Sequence, residues 1–228
     1  MRRFGGIMVA AALGLAAGAT AAQAQLAAIP VYFHPRGGTG IGVAADIGFP
    51  NSKYGGGTAY GVAGSLGAGP ITLSAMVGAW KADKLGVASA QTSYGGDIAY
   101  RLFGGGLLPV SVAAQAGYGR VKLPIPLAGT RTTSTIPVGV GLSLDPPLFP
   151  LKPWIAPRME FTHVSAGGTS TDASAFRVSA GVDFNVLLGF GVHAAVDWGK
   201  VPSKLDPSTP TTFIWSVGAH FNFHVPVM

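Results

Sequence analysis

From residue 39 onward the chain alternates. In 39–49, Ile41, Val43, Ala45, Ile47 and Phe49 share one parity, and Gly40, Gly42, Ala44, Asp46 and Gly48 share the other. A two-residue period with β-branched residues on one side is a strand with distinct faces. The pattern returns with Tyr60, Val62, Leu66 and Ala68, then with Ile71, Leu73, Ala75, Val77 and Ala79. It continues through Tyr94, Ile98, Tyr100 and Leu102, then Val110, Val112, Ala114, Ala116 and Tyr118. Ile136, Val138, Val140, Leu142 and Leu144 follow, then Ile155, Met159 and Phe161. The last three runs carry Phe176, Val178, Ala180, Val182 and Phe184; Val192, Ala194, Val196 and Trp198; and Phe213, Trp215, Val217, Ala219, Phe221 and Phe223. That is about ten strands of about ten residues, the length a tilted strand needs to cross a bilayer; eight is the alternative count.

The connections also alternate. Those at 68–70, 104–108 and 187–189 are short, whereas 50–57, 81–91, 121–134, 164–174 and 199–210 are longer and polar; 145–152 is intermediate. Short turns at one end and long loops at the other suit an outer-membrane barrel. The non-apolar face is mostly Gly, Ala and Ser. That face is too poor in charge to meet water, so the apolar face is expected to meet lipid. Phe49, Tyr60, Tyr94, Tyr118, Phe161, Phe176, Trp198 and Trp215 fall near the loop side, and Trp154, Phe184, Phe190, Phe221 and Phe223 near the turn side. Two aromatic girdles are what membrane interfaces select. Pro137 and Pro157 interrupt two strands and are read as candidate bulges.

Composition agrees. Charged residues make up 11%, against about 25% in ordinary soluble domains. Mean hydropathy is positive, yet beyond the first segment there is no apolar run long enough for a transmembrane helix. The absence of cysteine excludes disulfides and thiolate sites. Residues 1–24 have the three parts of a secretory signal: Arg2 and Arg3, a short apolar stretch at 7–17, and Ala22-Gln23-Ala24 before the cut. The expected organisation is therefore a leader at 1–24, a periplasmic tail or lumenal plug at 25–36, and a transmembrane antiparallel up-and-down β-barrel at 37–228. Export to the bacterial outer membrane follows from leader and barrel together.

The signal, the alternating strands, the girdles and the aromatic final strand, Trp215 to Phe223, resemble the small outer-membrane β-barrel proteins of the OmpA, OmpX and OmpW kind. Such proteins usually end on an aromatic residue read by the assembly machinery. Here Phe223 or Phe221 takes that place, and five further residues follow. The resemblance implies a barrel embedded among outer-membrane lipids and lipopolysaccharide, with the barrel assembly machinery as a partner and no nucleic acid.

Candidate chemistry is sparse. Asp46, Asp97, Arg101, Arg158, Glu160, Arg177, Asp183, His193, Asp197 and His220 all have inward parity. An interior ion-pair network is expected, since buried charges survive when paired; a selective pore through them is the sharper alternative. His193, His220 and Asp183 have the donor chemistry for zinc, but no metal and no cofactor is expected. Lys53, Lys81, Lys84, Arg120, Lys122, Arg131, Lys200 and Lys204 form a basic rim on the loop side, opposed by Asp83, Asp172 and Asp206. Such a rim would attract phosphorylated lipid heads. Finally, His163-Val164-Ser165 at a strand's loop end resembles part of the lipid A 3-O-deacylase signature. That family implies a lipid-facing Ser–His–acid triad, with His163 and Ser165 as its first two members. The family's Asn-Ala-Gly is Ala166-Gly167-Gly168 here, its downstream glutamate has no counterpart, and Asp172 is the acid on that side. The leading expectation is a non-enzymatic barrel, structural or weakly pore-forming, whose basic loops meet lipopolysaccharide or an external partner. A lipid hydrolase and a small-solute channel are the alternatives.

Overall fold

A computed structural model describes residues 26–30, 40–105, 108–125, 129–146, 149–187 and 189–223. The leader and the last five residues lie outside the described residues. Ten strands appear in chain order: β1 Gly40–Pro50, β2 Thr58–Ala68, β3 Ile71–Lys81, β4 Gln91–Gly105, β5 Leu108–Ile125, β6 Gly129–Leu144, β7 Leu151–Ala166, β8 Thr169–Leu187, β9 Phe190–Lys200 and β10 Thr211–Phe223. Each pairs antiparallel with its neighbour in sequence. β1 closes on β10, from Ile41 opposite Phe223 to Pro50 opposite Ile214. Closure leaves no sheet edge, so every strand has two partners for its backbone, which a lipid-embedded sheet requires. Among the described residues the one helical element is a 3-10 turn at Asp83–Leu85.

The faces are those the alternation predicts. Leu66 and Leu102 are each 58% exposed, while Asp197 and Ser179 are 0% exposed. Ile, Val, Leu and aromatic side chains cover the outside in a continuous belt, and polar side chains fill the inside. This inversion of the usual core identifies lipid as the outer solvent. At the seam Phe49 and Trp215 face one another and stack, with ring centroids 4.2 Å apart.

Two expectations need correction. The stretches at 121–134 and 164–174 are largely strand: β5 runs to Ile125, β6 begins at Gly129, β7 runs to Ala166 and β8 begins at Thr169. The last pair between β8 and β9 is Arg177 with Gly199, so the first part of β8 rises above the end of β9. The β7–β8 hairpin turns through Gly167 (φ 57°) and Gly168 (φ 82°). Positive φ at both central residues is the tight hairpin geometry that favours glycine. The prolines mark no bulge either. Pairing skips beside Pro137 and Pro157 and resumes in the same register, because a missing N–H interrupts a ladder without adding a residue. The register shifts lie elsewhere, between Arg101 and Phe103, between Gly104 and Gly105, and between Asn185 and Leu187.

Trp154 is a third correction. It has inward parity and is buried in the lumen, where its ring covers Gly181; it belongs to no girdle.

Candidate functional site

The lumen holds two polar layers and a cap. The first layer joins β7, β8 and β9. The Asp197 carboxylate accepts from Arg177 Nε at 2.9 Å, from Ser179 Oγ at 2.7 Å, and from one terminal nitrogen of each of Arg158 and Arg177. Arg158 Nε donates to Glu160 Oε1 at 2.8 Å, and Arg158 Nη1 to Ser179 Oγ at 2.8 Å. Arg177 Nη1 donates to Thr212 Oγ1 at 2.7 Å, and its Nε lies 3.6 Å from Glu160 Oε2. The two guanidiniums and two carboxylates balance, so the buried charges are both paired and hydrogen-bonded. That is the condition under which a low-dielectric interior tolerates them. Ser179 and Thr212 were not among the expected site residues, although their inward parity was legible.

The second layer lies nearer the turn end. His193 Nε2 is 2.6 Å from Asp46 Oδ1, His193 Nδ1 is 3.0 Å from His220 Nδ1, and His220 Nε2 is 3.2 Å from Asn185 Oδ1. Asp183 faces His193 across the strand pair. Asp46, Asp183, His193 and His220 are all buried. Asp97 and Arg101 join neither layer. Asp97 pairs with Ser74 across β3 and β4. Arg101 sits at the turn end, where Nη2 donates to the Gly69 carbonyl at 2.9 Å.

The loop end is capped from inside. Leu26 and Ile29, the described part of the stretch read as tail or plug, are buried against inward residues and plug this end. The plug packs in one apolar cluster with Met76, Trp80, Val87, Val121 and Leu123. A Cβ on inward Gly48 would overlap the Ala28 carbonyl, so glycine at 48 is what admits the plug. Ala28 itself holds φ 66°, a conformation L residues rarely adopt. The β1–β2 loop folds over the plug: Asn51 anchors it through Tyr54 N at 3.0 Å, and Trp80 Nε1 donates to the Gly56 carbonyl at 3.0 Å. The Tyr54 ring lies under the Arg177 guanidinium at 5.8 Å. Burial holds its phenol above the ordinary range, against the opposing pull of Arg177's positive charge. What remains of the mouth is a cavity of about 310 Å³ between Tyr54, Trp80, Arg177 and the last loop. Neither Tyr54 nor Trp80 was singled out from the sequence. Trp80 had inward parity, but the fold of the loop onto it left no local pattern.

The basic rim is partly as expected. Lys53, Lys81, Lys84, Lys122, Lys200 and Lys204 are exposed. Arg131 instead faces inward as the register partner of buried Leu123 and lines the mouth cavity, and Arg120 is half-buried with its Nε out of solvent.

On the outside, above the Phe161 girdle position, His163 and Asp172 are register partners, and His163 Nδ1 lies 2.7 Å from Asp172 Oδ1. Ser165 shares their outward face two residues along β7, paired with Ser170. A groove of about 570 Å³ runs beside them, with Tyr118, Phe161 and Lys204 among its walls. Asp172 is thus the acid that meets His163. The pair is nonetheless open to solvent, with His163 52% and Asp172 82% exposed.

A closed antiparallel sheet with an outer apolar belt and a polar, filled interior is a transmembrane β-barrel of the bacterial outer-membrane class. No protein-family model matches the chain, and no curated protein matches it. Among solved structures it is similar to the N-terminal barrel domain of Pseudomonas aeruginosa OprF, at 13% identity over 82% of this chain and 100% of that one, with a TM-score of 0.41. It is similar to the translocator domain of the autotransporter NalP from Neisseria meningitidis, at 13% identity over 82% and 90%, with a TM-score of 0.46. It is also similar to the outer membrane enzyme PagL, at 12% identity over 79% and 98%, with a TM-score of 0.38. Likeness at this level concerns barrel architecture; the class stands on the closed sheet and its outward apolar belt.

Proposed function

We propose that this protein is a non-enzymatic outer-membrane barrel with a closed lumen, whose loop end contacts the phosphorylated head groups of lipopolysaccharide. The observation that carries the reading is the pairing of a plugged interior with exposed Lys53, Lys81, Lys84, Lys122, Lys200 and Lys204 at one end. With plug and ion pairs filling the lumen, the chemistry left to the barrel is at its rim. A lysine near an anionic membrane surface contributes about 1 kcal/mol. Replacing Lys53, Lys84, Lys122 and Lys204 by Gln should therefore weaken retention of lipopolysaccharide on the purified, refolded barrel by a factor on the order of 10²–10³ at low salt. Unchanged retention would overturn the reading.

One observation favours a second reading, an outer-leaflet lipid hydrolase. His163 is held through Nδ1 by Asp172, which leaves Nε2 to take a proton from a hydroxyl. Ser165 lies on the same face, about 7 Å along the strand, and the site sits at head-group height beside a groove. Its solvent exposure weighs against a preorganised triad, because an exposed pair is weakly held. Mass spectrometry of lipid A from cells expressing the wild type and His163→Ala separates the readings. A deacylated species that vanishes in the variant establishes the hydrolase; identical lipid A in both rejects it.

A further inference from the structure

We propose that the turn-end layer of the lumen is a divalent transition-metal site of the zinc type, with His193 Nδ1, His220 Nδ1 and an Asp183 carboxylate oxygen as its ligands. The two Nδ1 atoms are 3.0 Å apart, one ligand atom from each of the three residues lies within 4.8 Å of the other two, and all three residues are buried.

The hydrogen-bond partners of the two rings fix their tautomers. His193 Nε2 faces Asp46 Oδ1 at 2.6 Å, and His220 Nε2 faces Asn185 Oδ1 at 3.2 Å. Both partners are oxygen acceptors, so each ring carries its proton on Nε2. A neutral imidazole has one donor nitrogen and one acceptor nitrogen. Both Nδ1 atoms are then lone-pair acceptors, and they point at each other across 3.0 Å. Two facing lone pairs repel unless a cation stands between them.

The spacing suits a metal. Two nitrogens bound to zinc at 2.0–2.1 Å and at a tetrahedral angle are about 3.3 Å apart, so the ring edges need to part by a few tenths of an ångström and each ring to swing by roughly 35° toward the metal. The third donor comes from Asp183, the register partner of His193. A fourth position remains for water, as in open zinc sites. Metal-bound histidines usually donate their other N–H to a carboxylate or carbonyl, and Asp46 and Asn185 already hold those places. With both rings neutral, Asp46 and Asp183 give these four side chains a charge of −2, which one divalent ion balances.

The backbone is shaped for the two rings. Gly218 is the register partner of His193, and Gly191 of His220. A Cβ on Gly218 would overlap His193 Nε2, and one on Gly191 would overlap His220 Nε2. The imidazoles therefore lie edge to edge and nearly coplanar, with interplanar angle 10° and centroids 5.3 Å apart, over two strand positions kept free of side chains.

The test uses the tag-free full-length barrel, refolded, stripped with chelator and titrated with Zn²⁺ by calorimetry. Metal content is read after gel filtration. About one zinc per barrel is expected, lost in His193→Ala and in Asp183→Asn and kept in His163→Ala. Heat-modifiable gel mobility confirms that each variant has folded. Cobalt(II) titration of the wild type needs no variant. Visible d–d bands of a low-symmetry nitrogen–oxygen site are expected, bleached by adding one equivalent of Zn²⁺. Failure of the wild type to bind either ion overturns the proposal and assigns the ring pair to a shared proton. Equal zinc binding by wild type and folded His193→Ala overturns it as well, since the ion would then sit elsewhere.

Discussion

Asp197→Ala tests whether the lumen is as dry as its packing implies. The carboxylate is 0% exposed and accepts from Arg158, Arg177 and Ser179. Without it, Arg177 loses the acceptor of Nε and of one terminal nitrogen, while Arg158 keeps Glu160 and Ser179. Two guanidiniums then share the single carboxylate of Glu160, and the layer passes from neutral to one net positive charge. Breaking a buried pair by removing one partner costs about 3–5 kcal/mol, because the other charge is left uncompensated. The folding equilibrium constant should fall by a factor on the order of 10²–10⁴. Urea titration of the barrel in lipid vesicles measures this, with tryptophan fluorescence and gel mobility as paired probes. The companion variant replaces the whole layer: Arg158→Met, Glu160→Leu, Arg177→Met and Asp197→Leu together. Removing every charge at once should cost far less than Asp197→Ala alone, or even stabilise the barrel. A loss below about 1 kcal/mol for Asp197→Ala would refute the reasoning, since it would mean that water already solvates the guanidiniums.

Three further outcomes follow from the plug and its surroundings. In planar bilayers the refolded barrel should show no steady openings, because Leu26–Ile29, Trp80 and the Arg–acid layer fill the lumen; sustained conductance would contradict a closed interior. Gly48→Ala places a methyl group against the Ala28 carbonyl. It should destabilise the barrel by about 1–3 kcal/mol or displace the plug. Because the chain has no cysteine, maleimide labelling of Ala27→Cys from outside reads displacement directly, and unchanged protection would count against the contact. Tyr54 predicts an alkaline limit. Burial raises its folded pKa above the unfolded value, so the unfolded chain loses its proton first and stability falls as pH rises past about 10. Tyr54→Phe should flatten that decline, and the ultraviolet phenolate signal of the wild type should contain one late-titrating tyrosine.

Period-two alternation revealed the barrel because one face of every crossing strand meets lipid. Ile41 to Phe49 and Phe213 to Phe223 could hardly be read otherwise. The same signal failed where strands leave the membrane. In the strand ends beyond Lys122, before Ser134 and around Ser165 to Ser174, the outer face no longer meets lipid, so Thr and Ser occupy both parities and alternation vanishes although pairing continues. Gly167-Gly168 still carried a hairpin signal there. Inward parity placed Arg158, Glu160, Arg177, Asp183, His193, Asp197 and His220 correctly inside. It grouped His193, His220 and Asp183, but it could not bring Asp46 to His193, since that depends on register between strands far apart in sequence. Nor could it seat Tyr54, whose position depends on a loop folding back onto the plug.

Register also explains the glycines. A barrel of ten strands has a narrow interior, and alternation sends every large polar group into it. The described structure answers five of the large inward side chains with an absent side chain on the neighbouring strand. Arg158 faces Gly139, Arg177 faces Gly199, His193 faces Gly218, His220 faces Gly191 and Trp154 faces Gly181. The glycine content is thus the counter-mould of the lumen rather than a sign of flexible chain. Comparing two substitutions separates these ideas. A Cβ on Gly139 would lie 2.6 Å from Arg158 Cβ, whereas one on outward Gly64 meets nothing within 4 Å. Gly64→Ala should stabilise the barrel by roughly 0.5–1 kcal/mol, the usual gain from removing a strand glycine. Gly139→Ala has no such room. It must push the Arg158 strand aside and should cost about 1–3 kcal/mol despite the same backbone gain. Urea midpoints moving in opposite directions would tie glycine placement to the lumenal side chains. Two equal shifts of the same sign would sink the idea, and the glycines would then reflect backbone preference alone.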